Sequence, residues 1–132
     1  MNVLNLPIHV PTQIINKAIN EALLSTHRYK IGAVIYKRNK IISSGHNYPS
    51  RSLRNLNPKF RKWKTSVHAE VDAIFNARTP LKNMNIFVLR INKSFDFRLA
   101  KPCKYCELYL NHIGIRKIYY SINEYPFINI LK

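Results

Sequence analysis

Ile31-Gly32-Ala33-Val34-Ile35-Tyr36, followed by Lys37-Arg38-Asn39-Lys40 and Ile41-Ile42-Ser43-Ser44-Gly45, decides the fold class. The first six residues read as a mostly buried strand. The four polar ones make a turn, Ile41 starts the return strand and Gly45 ends it. Upstream, Ile14, Ala18 and Ala22 recur beside Ile15, Ile19 and Leu23, the stripe of an amphipathic helix over residues 12–25. Thr12 is its expected N-cap, with Pro11 just outside. Downstream, residues 46–64 are polar, basic and interrupted by Pro49 and Pro58, and read as a long loop. A second helix is expected over 67–77, capped by Thr65 or Ser66, with Val71, Ile74 and Phe75 on its buried face. Residues 85–90 read as a strand, and a loop through Asp96 and Arg98 leads to Pro102. Pro102 opens a third helix ending near Gly114, with Cys106, Tyr109, Leu110 and Ile113 on its apolar face. Residues 115–120 and 125–131 supply two more strands.

The order α-β-β-α-β-α-β-β predicts a layered α/β domain. Ser121-Ile122-Asn123-Glu124 leaves no room for a crossover helix, so the last two strands should pair antiparallel.

Composition sets further bounds. The 132 residues suit one domain, residues 1–132, and 46% apolar content excludes a disordered tail. Lys and Arg number 22 against six Asp and Glu, a formal charge of +16. Such a chain attracts polyanions, nucleic acid first. An anionic membrane surface, or a composition generally rich in lysine, would give the same count. Residues 1–9 carry no basic leader or long apolar core, so the expectation is a cytoplasmic protein without a membrane span. Cys103 and Cys106 are the only cysteines, which excludes a disulfide scaffold or a second, all-cysteine zinc site.

His68-Ala69-Glu70 and Pro102-Cys103-Lys104-Tyr105-Cys106 carry the chemistry. Cys103 and Cys106 fall at one expected helix start, where thiolates are favoured, and His68 falls near another. Two helix starts meeting at one sheet edge would gather a Cys₂His set around one zinc ion per chain, with a fourth position for water. Glu70 lies two residues beyond His68 and is read as the proton-moving carboxylate rather than a ligand. C-x-x-C alone also fits redox or structural metal sites, and His-x-Glu alone is weaker. Their combination matches the zinc nucleobase deaminase pattern, H-x-E…P-C-x-x-C.

With those motifs, the chain resembles the cytidine deaminase superfamily, on its cytidylate and tRNA-editing side. The resemblance runs from about Ile31 to Tyr120. It includes Ile31-Gly32-Ala33-Val34-Ile35, Gly45-His46-Asn47, both metal motifs and Gly114-Ile115-Arg116-Lys117-Ile118-Tyr119-Tyr120. It implies a three-layer fold, a five-stranded mixed sheet with helices on both faces. It also implies that Asn47 contacts the substrate sugar, that the Ala69 amide holds the base carbonyl and that the Cys103 amide assists near the metal. Read from the residues alone, a turn-forming asparagine before Pro49 is the alternative role for Asn47. Relatives commonly associate, so the resemblance implies a homo-oligomer, a dimer at least. Three features set the chain between subfamilies. The segment after the fourth strand is shorter than in editors of tRNA adenosine. His68 stands where free-cytidine deaminases have cysteine. The loop before His68 contains His46 but no cysteine for the second metal of many cytidylate deaminases.

The loop before the metal motif bears on substrate. Arg51, Arg54, Lys59, Arg61, Lys62 and Lys64 are six basic residues with no acidic residue among them, interleaved with Phe60 and Trp63. Cations can follow a phosphate backbone while an aromatic ring stacks a base. Both rings could equally anchor the loop to the core. The leading expectation is therefore deamination of cytosine to uracil in RNA or single-stranded DNA. The alternatives are a deaminase of free dCMP or cytidine, a tRNA adenosine deaminase, and an inactive RNA-binding protein that kept zinc for stability. Intact Glu70 argues against the last.

Overall fold

The computed structural model describes residues 7–49 and 66–131. Strand β1 (Lys30–Lys37) and β2 (Lys40–His46) form the antiparallel hairpin expected from the sequence. β1 also pairs antiparallel with β5 (Asn85–Ile91), which runs parallel to β7 (Lys117–Ser121), and β8 (Ile128–Ile130) closes the sheet antiparallel to β7. The main order is β2-β1-β5-β7-β8. The final pair is antiparallel because Phe127 N donates to Glu124 O and Ile122 N to Phe127 O, closing a tight turn. That turn takes residues 124–127, so the last strand begins later than the sequence pattern suggested.

A sixth strand, β6 (Phe97–Arg98), pairs with the end of β5 where a loop was expected. The reason is local. Asn92 Oδ1 accepts from the amides of Ser94 and Asp96, and Phe95 takes φ 64°, so the chain reverses onto β5. A separate two-strand ladder joins β3 (Tyr48–Pro49) to β4 (Ser66–Val67).

Helix α1 (Thr12–Leu24) covers one face. Ile14, Ile15, Ala18 and Ala22 pack on Val34, Tyr36, Phe87 and Leu89. Helices α2 (Ala69–Asn76) and α3 (Lys104–His112) cover the other, where Ala69, Ala73 and Leu110 meet Ala33, Ile35, Ile86 and Val88. The result is the expected three-layer mixed α/β fold. Each face contains a glycine in direct contact with a helix backbone. A Cβ on Gly32 would lie 2.2 Å from Ala18 O, and one on Gly45 would lie 2.3 Å from Ala73 N. Gly45 therefore lies within β2 and admits α2, rather than ending the strand.

Helix boundaries show further differences. Thr12 is the first helical residue and Pro11 occupies the N-cap, its carbonyl accepting from the amides of Ile14 and Ile15. Helix α2 starts at Ala69 because Ser66 and Val67 are held extended in β4; His68 is the N-cap, without a side-chain capping bond. Its buried residues are Ala69, Glu70 and Ala73, while Phe75 is 70% exposed and Val71 and Ile74 are half-buried. The close approach at Gly45 leaves space for small side chains only, which turns the larger ones outward. Helix α3 starts two residues after Pro102 and leaves Tyr109 37% exposed. Its end is near the expected residue. Gly114 has φ 88°, Gly114 N donates to Asn111 O and Ile115 N to Leu110 O, the two bonds of a Schellman motif.

Among the described residues, no helix is long and apolar enough to cross a membrane.

Candidate active site and metal centre

The N-termini of α2 and α3 converge at one edge of the sheet. His68 sits at the N-cap of α2 and Cys103 at that of α3, while Cys106 lies in the first turn of α3. His68 Nδ1 is 3.2 Å from Cys106 Sγ and 3.7 Å from Cys103 Sγ, and the three ligand atoms lie within 4.8 Å of one another. Tetrahedral zinc with its usual bond lengths requires ligand separations of roughly 3.5–3.8 Å. These atoms are near that spacing, and the His68, Cys103 and Cys106 group fits one zinc ion. Cys103 also caps its helix, accepting from Cys106 N at 3.4 Å. The Cys106 thiol is pushed well up by burial, then by the charges of Glu70 and Cys103. A metal must therefore displace a tightly held proton.

Glu70 is buried in the first turn of α2, at the wall of a cavity of about 260 Å³. Burial raises its carboxyl above the ordinary range; its backbone hydrogen bond, His68 and Cys106 act in the opposite direction. His68, Ala69, Cys103 and Asn47 line the same cavity. The expected site residues outside the basic loop are thus brought together.

Asn47 is more constrained than either sequence reading implied. Its Oδ1 accepts from Ile31 N at 2.9 Å and from Ser25 Oγ at 2.7 Å, and its Nδ2 donates to Tyr29 O at 2.5 Å. Ser25 Oγ is also 2.7 Å from the Asn47 backbone carbonyl and has one proton for the two acceptors, while one N–H of the Asn47 amide is left over. Ala69 is the first residue of α2, where an amide has no partner within the helix.

Sequence reading missed His27, Tyr29, Arg90, Leu99 and Lys101 on the cavity wall. Alternation along β5 was the available signal for Arg90: Ile86 and Val88 face α2 and α3, so Arg90 does too. No spacing pointed to the segment after α1. His46 lies elsewhere, its Nδ1 3.1 Å from Glu21 Oε1. Arg51, Arg54, Lys59, Phe60, Arg61, Lys62, Trp63 and Lys64 lie outside the described residues. The flanks of that segment, β3 and β4, are paired next to Asn47 and His68.

The sequence pattern described as "Cytidine and deoxycytidylate deaminase zinc-binding region" matches residues 10–122. An uncharacterised deaminase encoded in the luxG 3′ region of Aliivibrio fischeri is 32% identical over 93 residues, which cover 68% of this chain and 56% of the relative. The chain thus spans little more than half the length of that relative. Two solved structures share the fold. Cytidine deaminase from Burkholderia pseudomallei has a TM-score of 0.63 at 16% identity, covering 94% of this chain and 93% of that one. The dCMP deaminase of cyanophage S-TIM5 has 0.61 at 19% identity, covering 83% and 80%.

Proposed function

Because the chain belongs to the family defined by the cytidine and deoxycytidylate deaminase zinc-binding region, we propose that it hydrolyses cytosine to uracil and ammonia. The observation that carries this reading is the buried Glu70 carboxyl on the cavity wall beside the His68, Cys103 and Cys106 group. A structural zinc needs no such carboxyl.

A bound zinc ion supplies the Lewis acidity that makes water a nucleophile near neutral pH. Glu70 handles the protons. It takes one from the attacking water as the oxygen bonds to C4, and returns it to ring N3. The second water proton moves to the exocyclic amine, the C4–N bond breaks and ammonia leaves. The Ala69 amide holds the base carbonyl, the Cys103 amide assists beside the metal and Asn47 offers its remaining N–H to the sugar.

The family extends to more than one substrate size. Residues 51–64, with six cations, support cytosine within RNA or single-stranded DNA. Free dCMP is the second reading, favoured by a cavity sized for one nucleoside; the cyanophage enzyme has been solved with dCMP and dUMP. We take residues 1–132 as one deaminase domain, working in the cytoplasm. We also propose a homo-oligomer, a dimer at least, because Phe75 of α2 and Leu108 of α3 are 70% and 57% exposed. Light scattering at about 0.15 M salt, where charges are screened beyond about 8 Å, should show more than one chain per particle. The substrate test is uracil formation from cytidine, dCMP, single-stranded DNA and tRNA. Neutralising Lys59, Arg61, Lys62 and Lys64 should lower the salt dependence of strand binding by roughly 0.7 log units per lost contact. An unchanged salt slope excludes residues 51–64 as the strand track.

A further inference from the structure

Arg90 is a half-buried guanidinium on the cavity wall with no acidic partner among the described residues. Its Cζ lies 4.3 Å from the centroid of the Tyr29 ring, which also lines the cavity. That stack occupies the guanidinium face and leaves the edge N–H donors available. Directly across the ladder, Arg90 pairs with Arg98. Ile91 and Phe97, the neighbouring pair, both enter the α1-side core, so the two arginines share the opposite, active-site face. Like charges directly opposite on neighbouring strands repel. Here the arrangement is built in. Ser121 Oγ, fully buried, accepts from Arg90 N at 3.0 Å and donates to Arg98 O at 2.6 Å, tying both arginine backbones together. Arg28 lies 5.5 Å from the same Tyr29 ring, and Lys101 lines the cavity. Glu70 is the one acidic residue on that wall among those described, and it is committed beside the metal ligands.

An arginine stacked on an aromatic ring, with a second arginine directly across the ladder and no acidic partner for either among the described residues, fits a multi-oxygen anion. The cavity, about 260 Å³, lies just below the roughly 300–1,000 Å³ of typical ligand sites and suits one nucleoside. We propose that Arg90, seconded by Arg98, binds a phosphate attached to the sugar of the reacting cytidine. The substrates are then phosphorylated nucleotides, free or within a strand, rather than bare nucleosides or bases. This rests on the cytosine deaminase reading and adds a specificity-determining residue that the metal motifs do not encode.

The experiment measures kcat/KM of the zinc-loaded full chain for deoxycytidine, dCMP and a short single-stranded DNA with one cytosine. dCMP or the oligonucleotide should exceed deoxycytidine, and which of them leads identifies a terminal or a backbone phosphate as the anion. Arg90→Gln should shrink the advantage by about 10- to 100-fold, the worth of a charged hydrogen bond, mainly through KM. Arg90→Lys should recover part of it. The backbone bond to Ser121 survives either substitution, and circular dichroism and zinc content check the fold. Calorimetry supplies an arm independent of turnover, comparing dUMP and the uracil-containing oligonucleotide with deoxyuridine. Arg90→Gln should remove the preference for the phosphate-bearing ligand. If the wild type deaminates none of the three yet shows that preference, the deaminase reading fails and the phosphate site stands. If folded, zinc-loaded Arg90→Gln keeps the wild-type preference in both arms, or the wild type has none, the phosphate site is overturned.

Discussion

The two faces of the sheet are packed by the same device and put to different use. On one, α1 lies against the sheet with Ala18 over Gly32. On the other, α2 lies as close with Ala73 over Gly45. Both interfaces are small residues under a helix backbone, surrounded by branched apolar side chains. The α1 face is apolar core apart from Glu21, which is buried against His46. The second face carries two helices whose starts converge, and there the core gives way to His68, Glu70, Cys103 and Cys106. Packing alone therefore does not distinguish the faces. Chemistry appears where two helix N-termini reach one edge, because that edge offers donors and room for a cavity.

The sharpest break in this comparison is His68→Ala. The His68 side chain makes no capping bond, so α2 should persist. Zinc affinity should fall by more than about 100-fold, beyond the 10–100-fold typical of losing a residue that only supports a ligand. Metal analysis with circular dichroism checks both statements. Tight zinc binding by the variant would show that the three-residue group is not the metal centre.

A smaller effect separates the faces by their glycines. Gly32→Ala and Gly45→Ala each force a Cβ against helix backbone. Each should cost at least about 1–3 kcal/mol, the usual price of overpacking. Thermal melts should fall by several degrees for both. Only Gly45→Ala should also lower zinc occupancy, because it displaces the helix that begins at His68. Equal zinc loss in the two variants would mean that the faces are not separable.

How much of this was legible follows from the same contrast. Periodicity of Ile14, Ala18 and Ala22 revealed α1, and the polar turn at residues 37–40 revealed the hairpin. The motif residues identified the metal group because helix starts are written locally, in prolines and spacing. Phe75 was misread as buried because the close approach at Gly45 is a tertiary event that decides which side of α2 faces in. Arg98 is not legible because β6 exists only once the Asn92 turn folds the chain back, whereas alternation along β5 carries the signal for Arg90. Tyr29 reaches the cavity through Asn47 and Ser25, a contact between distant segments that no local pattern contains.

The smallest effect belongs to the α1 face. Tyr36 is buried there, and burial, followed by Tyr119, raises its hydroxyl well above the ordinary tyrosine value. With a raised folded value, the unfolded chain ionises first as pH climbs. Stability is thus retained below about pH 10, the ordinary tyrosine value, and lost above it. Denaturation midpoints of Tyr36→Phe should fall less steeply than wild type above that pH. A parallel decline in both proteins would remove Tyr36 as the source.

Zinc content and uracil formation, measured together on wild type and Glu70→Gln, test the central claim most directly. Both proteins should hold one zinc per chain. Wild type should release uracil and ammonia from its cytosine substrate, and the variant should be slower by about 10²–10⁴-fold. Wild-type turnover by Glu70→Gln, or full turnover by protein stripped of zinc, would contradict it.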